Sequence, residues 1–175
     1  MTLNPPASPP GPRAAVLTVS DSGSRGERAD SSGPAVVALL REAGFEVVET
    51  ALVPDEPDQV AAWLIRGADT LDCALLITTG GTGLGPRDRT PEATASVLDY
   101  RVDGMAEAMR AAGLATTRMA MISRGLAGVR GRTLIVNLPG SERGARENLT
   151  TVLPVLPHSL RLLRGDTEHL AGRDS

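Results

Sequence analysis

The chain predicts an open α/β sheet, mostly parallel, with helices on its faces and ligands at the C-terminal ends of its strands. Three observations predict it. Apolar runs of strand length alternate with helical patterns, four polar segments follow the ends of those runs, and one of these is a loop with four glycines between Gly80 and Gly85. Strand, glycine-rich loop and helix in that order bring backbone N–H groups and the positive end of a helix to an anion, and phosphate is the first expectation.

The elements follow in order. Residues 1–13 hold five prolines and cannot bury apolar area, so they are expected to be a disordered tail. Ala14 to Val19 is a buried strand, followed by the polar loop Ser20 to Asp30. A helix spans about Ser31 to Ala43 and closes on Gly44, whose lack of a Cβ suits the left-handed cap. Phe45 to Val53 is the second strand; Pro54 and Pro57 end it and open a helix through about Gly67, leaving Asp55 at the strand's C-terminal end. Cys73 to Thr78 is the third strand and leads into the glycine loop. Helices are expected from Pro91 to about Asp99 and from about Gly104 to Ala112. Arg118 to Ser123 and Arg132 to Asn137 are two further apolar runs, joined by a hairpin-like connection from Arg124 to Gly131. Ser141 caps a helix starting near Glu142, whose apolar face continues to Leu163 with interruptions at Pro154 and Pro157. One domain over 14–165 is expected, with residues 166–175 frayed.

Composition narrows the chemistry. A net charge of −3 and only three aromatic residues (Phe45, Trp63, Tyr100) argue against a nucleic-acid partner, which would call for a basic surface or stacking platforms. All eighteen basic residues are arginine, so a P-loop lysine and a Schiff-base lysine are both excluded. The two histidines, His158 and His169, lie near the C-terminus, which disfavours a Ser-His-Asp triad or a histidine metal site. The single cysteine, Cys73, reads as a small core residue. With no signal pattern and no apolar run of membrane-spanning length, a cytoplasmic protein with no membrane partner is expected.

Four polar segments converge on the C-terminal edge of the predicted sheet: Ser20 to Asp30, Asp55 with Glu56, Thr79 to Thr90, and Asn137 to Ser141. Asp55 and Asp88 lie past the ends of what read as neighbouring strands. Mg²⁺ is commonly held by one or two carboxylates with substrate phosphates and water, so this pair is a candidate metal site; caps or loop acids are the plainer alternative. Ser141 is a helix cap able to serve an anion as well. Ser20, Asp21, Ser22, Arg25 and Arg28 are candidate nucleotide or anion contacts, with solvated loop residues as the alternative.

With these residues assembled, the chain resembles the molybdenum cofactor biosynthesis family that includes the bacterial molybdopterin adenylyltransferases and the G domains of two-domain molybdenum-insertion proteins. The matching segments are Thr18-Val19-Ser20-Asp21-Ser22, Val53-Pro54-Asp55-Glu56, Thr78-Thr79-Gly80-Gly81-Thr82-Gly83 with Arg87-Asp88-Arg89-Thr90-Pro91-Glu92-Ala93-Thr94, and Asn137-Leu138-Pro139-Gly140-Ser141. The resemblance covers about residues 14 to 165. It implies a three-layer α/β/α fold, usually assembled as a trimer, in which the phosphate of molybdopterin attacks the α-phosphorus of Mg-ATP. It maps the catalytic and metal-binding pair onto Asp55 and Asp88. Phosphate and pterin contacts map onto Thr79, Gly80, Gly81, Thr82 and Gly83, with Asn137, Pro139, Gly140 and Ser141. It also implies possible hand-over of the product to a molybdenum-insertion protein. A carrier that binds molybdopterin without catalysis, and a Mg²⁺-dependent nucleotide pyrophosphatase, are the alternatives.

Overall fold

The computed structural model describes residues 11–166; of the expected tails over 1–13 and 166–175, residues 1–10 and 167–175 lie outside them, whereas Arg13 already belongs to the first strand, paired with Glu46. A six-stranded sheet has the order β2-β1-β3-β6-β5-β4, with helices on both faces. Strands β1 (Arg13–Val19), β2 (Glu46–Val53), β3 (Leu75–Thr79) and β6 (Thr133–Leu138) are parallel, whereas β5 (Ala127–Arg130) and β4 (Tyr100–Arg101) run antiparallel at one edge.

Three central strands are continuous apolar runs because both of their faces are covered. Alternate residues point to opposite layers. Ala14, Val16, Leu75, Ile77, Leu134 and Val136 meet α2 (Ser32–Glu42), α5 (Asp103–Leu114), α6 (Glu142–Val152) and α7 (Leu156–Leu163). Ala15, Leu17, Val19, Leu76 and Ile135 meet α3 (Pro57–Asp69) and α4 (Thr90–Ala95), where Val60, Trp63, Leu64 and Ala93 fill the second core. Trp63 also donates its indole N–H to Glu49 Oε1 at 2.9 Å, so this core aromatic leaves no orphaned donor. Among the described residues no helix is long and apolar enough to cross a membrane.

Several expectations give way to the structure. Arg118 to Ser123 is not a strand: Arg118–Ile122 is a 3-10 turn started by Thr117, whose side chain accepts from Met119 N. The strand lies inside the segment read as a connection, and β5 pairs with β6 across a turn at Gly131 and Arg132. β4 is only two residues long and has no counterpart among the expected strands. The helix expected from Pro91 to Asp99 stops at Ala95, because Asp99 N donates to Val129 O at 2.8 Å and draws the chain to the sheet edge. The loop Ser20 to Asp30 contains a one-turn helix, α1 (Asp21–Ser24), capped by the Ser20 hydroxyl.

Candidate active site

The chain leaves β1 toward β2 on one side, with α2 on one face, then returns to β3 on the other side of β1, with α3 on the opposite face. Such a reversal opens a crevice at the C-terminal ends of the two central strands. Register brings the ends level: Thr18 faces Leu52 on β2 and Thr79 on β3, and Thr79 faces Leu138 on β6. A cleft of about 260 Å³ occupies this crevice. Ser20, Asp55, Thr79, Gly80, Gly81, Asp88, Gly140 and Ser141 line it, together with Arg28, Asp30 and Ser32.

Backbone sterics shape its floor. Gly80 has φ +95, and a Cβ there would sit 2.2 Å from Val19 O. Gly81, at φ +64, would place a Cβ 2.2 Å from Thr90 Oγ1 and 3.0 Å from Asp55 Oδ1. Only glycine meets both demands, positive φ and close approach. In the wall of the cleft, Thr18 Oγ1 donates to Asp30 Oδ2 at 2.6 Å, Gly33 N to Asp30 Oδ1 at 3.0 Å, and the Ser32 and Thr79 hydroxyls pair at 2.8 Å.

Two carboxylates from separate loops lock together. Asp21 N donates to Asp55 Oδ2 at 2.8 Å and Asp55 N to Asp21 Oδ1 at 3.0 Å. Arg87 from the glycine loop joins them, donating through Nε and Nη2 to both Asp21 oxygens at 3.0 Å and through Nη2 to Glu56 Oε1 at 2.7 Å. The Arg87 guanidinium lowers the Asp21 pKa, whereas burial raises that of Asp55, and the Asp21 and Asp88 charges raise it further. Asp88 Oδ2 accepts from Gly85 N at 2.8 Å. Arg124 braces the far side of the loop: its backbone N–H donates to Thr82 O at 2.8 Å, its Nε to Gly83 O at 2.7 Å, and its Nη atoms to Asp88 O and Glu92.

The chain and its fold have known counterparts. The family described as "Probable molybdopterin binding domain" matches residues 15–158. The chain belongs to this family. It is 57% identical to the molybdopterin biosynthesis enzyme MoaB from Thermus thermophilus, with a TM-score of 0.83 over 87% of this chain and 96% of that one. It is 40% identical over 153 residues to the molybdopterin adenylyltransferase of Helicobacter pylori strain J99, covering 86% of this chain and 87% of that protein. Gephyrin of Dictyostelium discoideum is also 40% identical, over 158 residues that make up 85% of this chain and 22% of gephyrin. The chain spans less than half the length of the other large relatives it matches.

Within this molybdopterin-binding domain the residues singled out from sequence divide in two. Ser20, Asp55, Thr79, Gly80, Gly81, Asp88, Gly140 and Ser141 come together on the cleft. The strands before Asp55 and Asp88 are not neighbours, because β1 lies between β2 and β3; the Asp55 and Asp88 loops meet above the end of β1. Thr82, Gly83, Pro139, Asp21, Ser22, Arg25 and Asn137 do not line the cleft. Arg25 is spent on Glu27, with Nε to Oε1 at 2.7 Å and Nη2 to Oε2 at 2.9 Å. Asn137 is buried, and its amide is committed to the scaffold: Nδ2 donates to Thr78 Oγ1 and Thr94 Oγ1 at 2.9 Å each, and Oδ1 accepts from Leu126 N at 3.3 Å. Sequence reasoning missed Arg124 and the Thr18–Asp30–Ser32 network. For Arg124 the one signal was a lone arginine before a glycine, Arg124-Gly125, and for Asp30 the Asp-Ser-Ser-Gly run that opens α2.

Proposed function

We propose that the chain transfers AMP from ATP to the terminal phosphate of molybdopterin and releases pyrophosphate, a step of molybdenum cofactor biosynthesis. One observation carries the reading: Asp55 and Asp88 face a glycine-floored cleft in a chain that has no lysine and only two histidines. Such a site suits a nucleophile that needs no base. A phosphate monoester has its second pKa near about 6 and is ionised at neutral pH. Its oxygen attacks the α-phosphorus, the new P–O bond forms as the bond to the bridging oxygen breaks, and pyrophosphate leaves with that electron pair. The catalytic demand is then positioning and charge stabilisation.

The residues at the site fit Mg²⁺. Among the described residues no group of three or more His, Cys, Asp or Glu is placed to hold a metal. Asp55 and Asp88 supply two carboxylates, a set that Mg²⁺ completes with substrate phosphates and water. Asp55 Oδ2 is held by Asp21 N, while Oδ1 has no hydrogen-bond donor among the described residues and is the oxygen Gly81 faces. Bound there, the cation would neutralise charge on the nucleotide phosphates. Thr79, Gly80, Gly81, Gly140 and Ser141 hold and orient the molybdopterin phosphate; Ser141 carries its own helix cap to Gly144 N at 3.2 Å and sits beside α6, whose N-terminus favours an anion. A single cytoplasmic domain over 14–165, assembly as a homotrimer, and hand-over of the adenylylated product to a molybdenum-insertion protein complete the reading.

Incubating the protein with molybdopterin, ATP and Mg²⁺ tests it. Adenylyl-molybdopterin and pyrophosphate should form, and Asp55→Ala and Asp88→Ala should each abolish turnover while unfolding cooperatively. Undiminished turnover in both variants refutes the assignment. Pterin binding without ATP use would mark a carrier, and release of AMP without pterin a pyrophosphatase.

A further inference from the structure

Thr90 is buried at 2% exposure, and its hydroxyl is the one buried side-chain polar atom without a hydrogen-bond partner among the described residues. A buried hydroxyl left unpaired costs about 1–3 kcal/mol, so such a group in a native protein calls for an explanation. Its place supplies one. Thr90 Oγ1 and Asp55 Oδ1 both lie within 3.0 Å of the point where a Cβ on Gly81 would stand. They are therefore closer together than two hydrogen bonds of about 2.8 Å laid end to end through one oxygen. The Thr90 backbone is fixed by its N–H to Gly81 O at 3.1 Å, and Pro91 follows at the start of α4.

We propose that Thr90 is a positioning residue for Asp55: its hydroxyl donates to one bridging water that in turn donates to Asp55 Oδ1, and so sets the direction in which that carboxylate faces the cleft. The absence of a side chain at Gly81 is what leaves the two oxygens this close. Thr90 does not line the cleft, so it acts through Asp55 and not on substrate. Groups that orient a ligating carboxylate are typically worth about 10–100-fold in metal affinity or activity. The role rests on the adenylyltransferase reading.

Thr90→Val and Thr90→Ser in the full chain test it. Valine removes the hydroxyl at nearly constant shape and serine keeps it. Thr90→Val should still unfold cooperatively, because the methyl group that replaces the hydroxyl has nearly its shape. Its kcat should fall about ten-fold with the molybdopterin KM unchanged, and its affinity for Mn²⁺·ATP, read by electron paramagnetic resonance, should weaken by a similar factor. Thr90→Ser should retain both. Wild-type kcat and Mn²⁺·ATP affinity in Thr90→Val, or equal losses in the two variants, overturn the proposal. A wild-type protein without turnover refutes the adenylyltransferase reading instead, and the Mn²⁺·ATP comparison then decides the role of Thr90 alone.

Discussion

Replacing Gly80 by alanine should damage the cleft at its floor. Two costs can be separated in the structure. Positive φ costs an L-residue about 1–2 kcal/mol, and forcing an extra methyl into a packed site about 1–3 kcal/mol. At Gly80 both apply: φ is +95, and the nearest atom to a Cβ is Val19 O at 2.2 Å, a backbone atom that cannot rotate away. Gly44 supplies the control, since its φ is +86 and nothing lies within 4 Å of its Cβ position. Gly80→Ala should therefore cost about 2–5 kcal/mol and Gly44→Ala only the first part. At about 2–4 °C per kcal/mol for a domain of this size, Gly80→Ala lowers Tm by roughly 4–20 °C. Relief of the clash requires the ends of β1 and β3 to part, so molybdopterin affinity should fall as well. Thermal and urea unfolding of the two variants side by side provide the measurement. A Gly80→Ala protein no less stable than Gly44→Ala would refute the steric account of the floor.

Other perturbations follow from the same geometry. Asp55→Asn should match the wild type in stability near pH 4 and exceed it at neutral pH, while losing turnover. Burial raises the Asp55 pKa, so its stabilising share is complete below the unfolded value of about 3.9 and is lost as pH rises through the folded one; Tm measured across that range checks the sign. Asn137→Ala orphans the buried Leu126 N–H and removes two donors from buried threonines, and should cost about 2–4 kcal/mol in urea unfolding while leaving the molybdopterin KM of the folded fraction within two-fold. Arg124→Met should free the Thr82 to Glu92 segment, raising amide hydrogen exchange there about ten-fold or more, with the Arg124 backbone bond to Thr82 O retained.

How legible all this was in the sequence depends on the range of the interactions. β1, β3 and β6 announce themselves because burial on both faces demands unbroken apolar runs. β4 and β5 do not: Tyr100–Arg101 is too short to carry a period, and β5 contains Gly128, where a Cβ would meet Leu98 Cδ1 at 2.3 Å. Met119 and Met121, in contrast, looked like strand residues and stand exposed on a 3-10 turn. At the site, Asp55, Gly80, Gly81 and Ser141 were legible because each lies within three residues of a strand's end. The roles of Asn137 and Arg124 were not, since each is defined by partners more than ten positions away. The placement of β1 between β2 and β3 likewise follows from long-range packing that no local pattern encodes.

The central claim is that this cleft joins AMP to molybdopterin. Following ATP labelled at the α-phosphorus in the presence of molybdopterin and Mg²⁺ tests it most directly. Label should move onto the pterin in step with pyrophosphate release, one for one, and stop when molybdopterin is withheld. Label recovered as free AMP, or retained in ATP while molybdopterin binds, would contradict it.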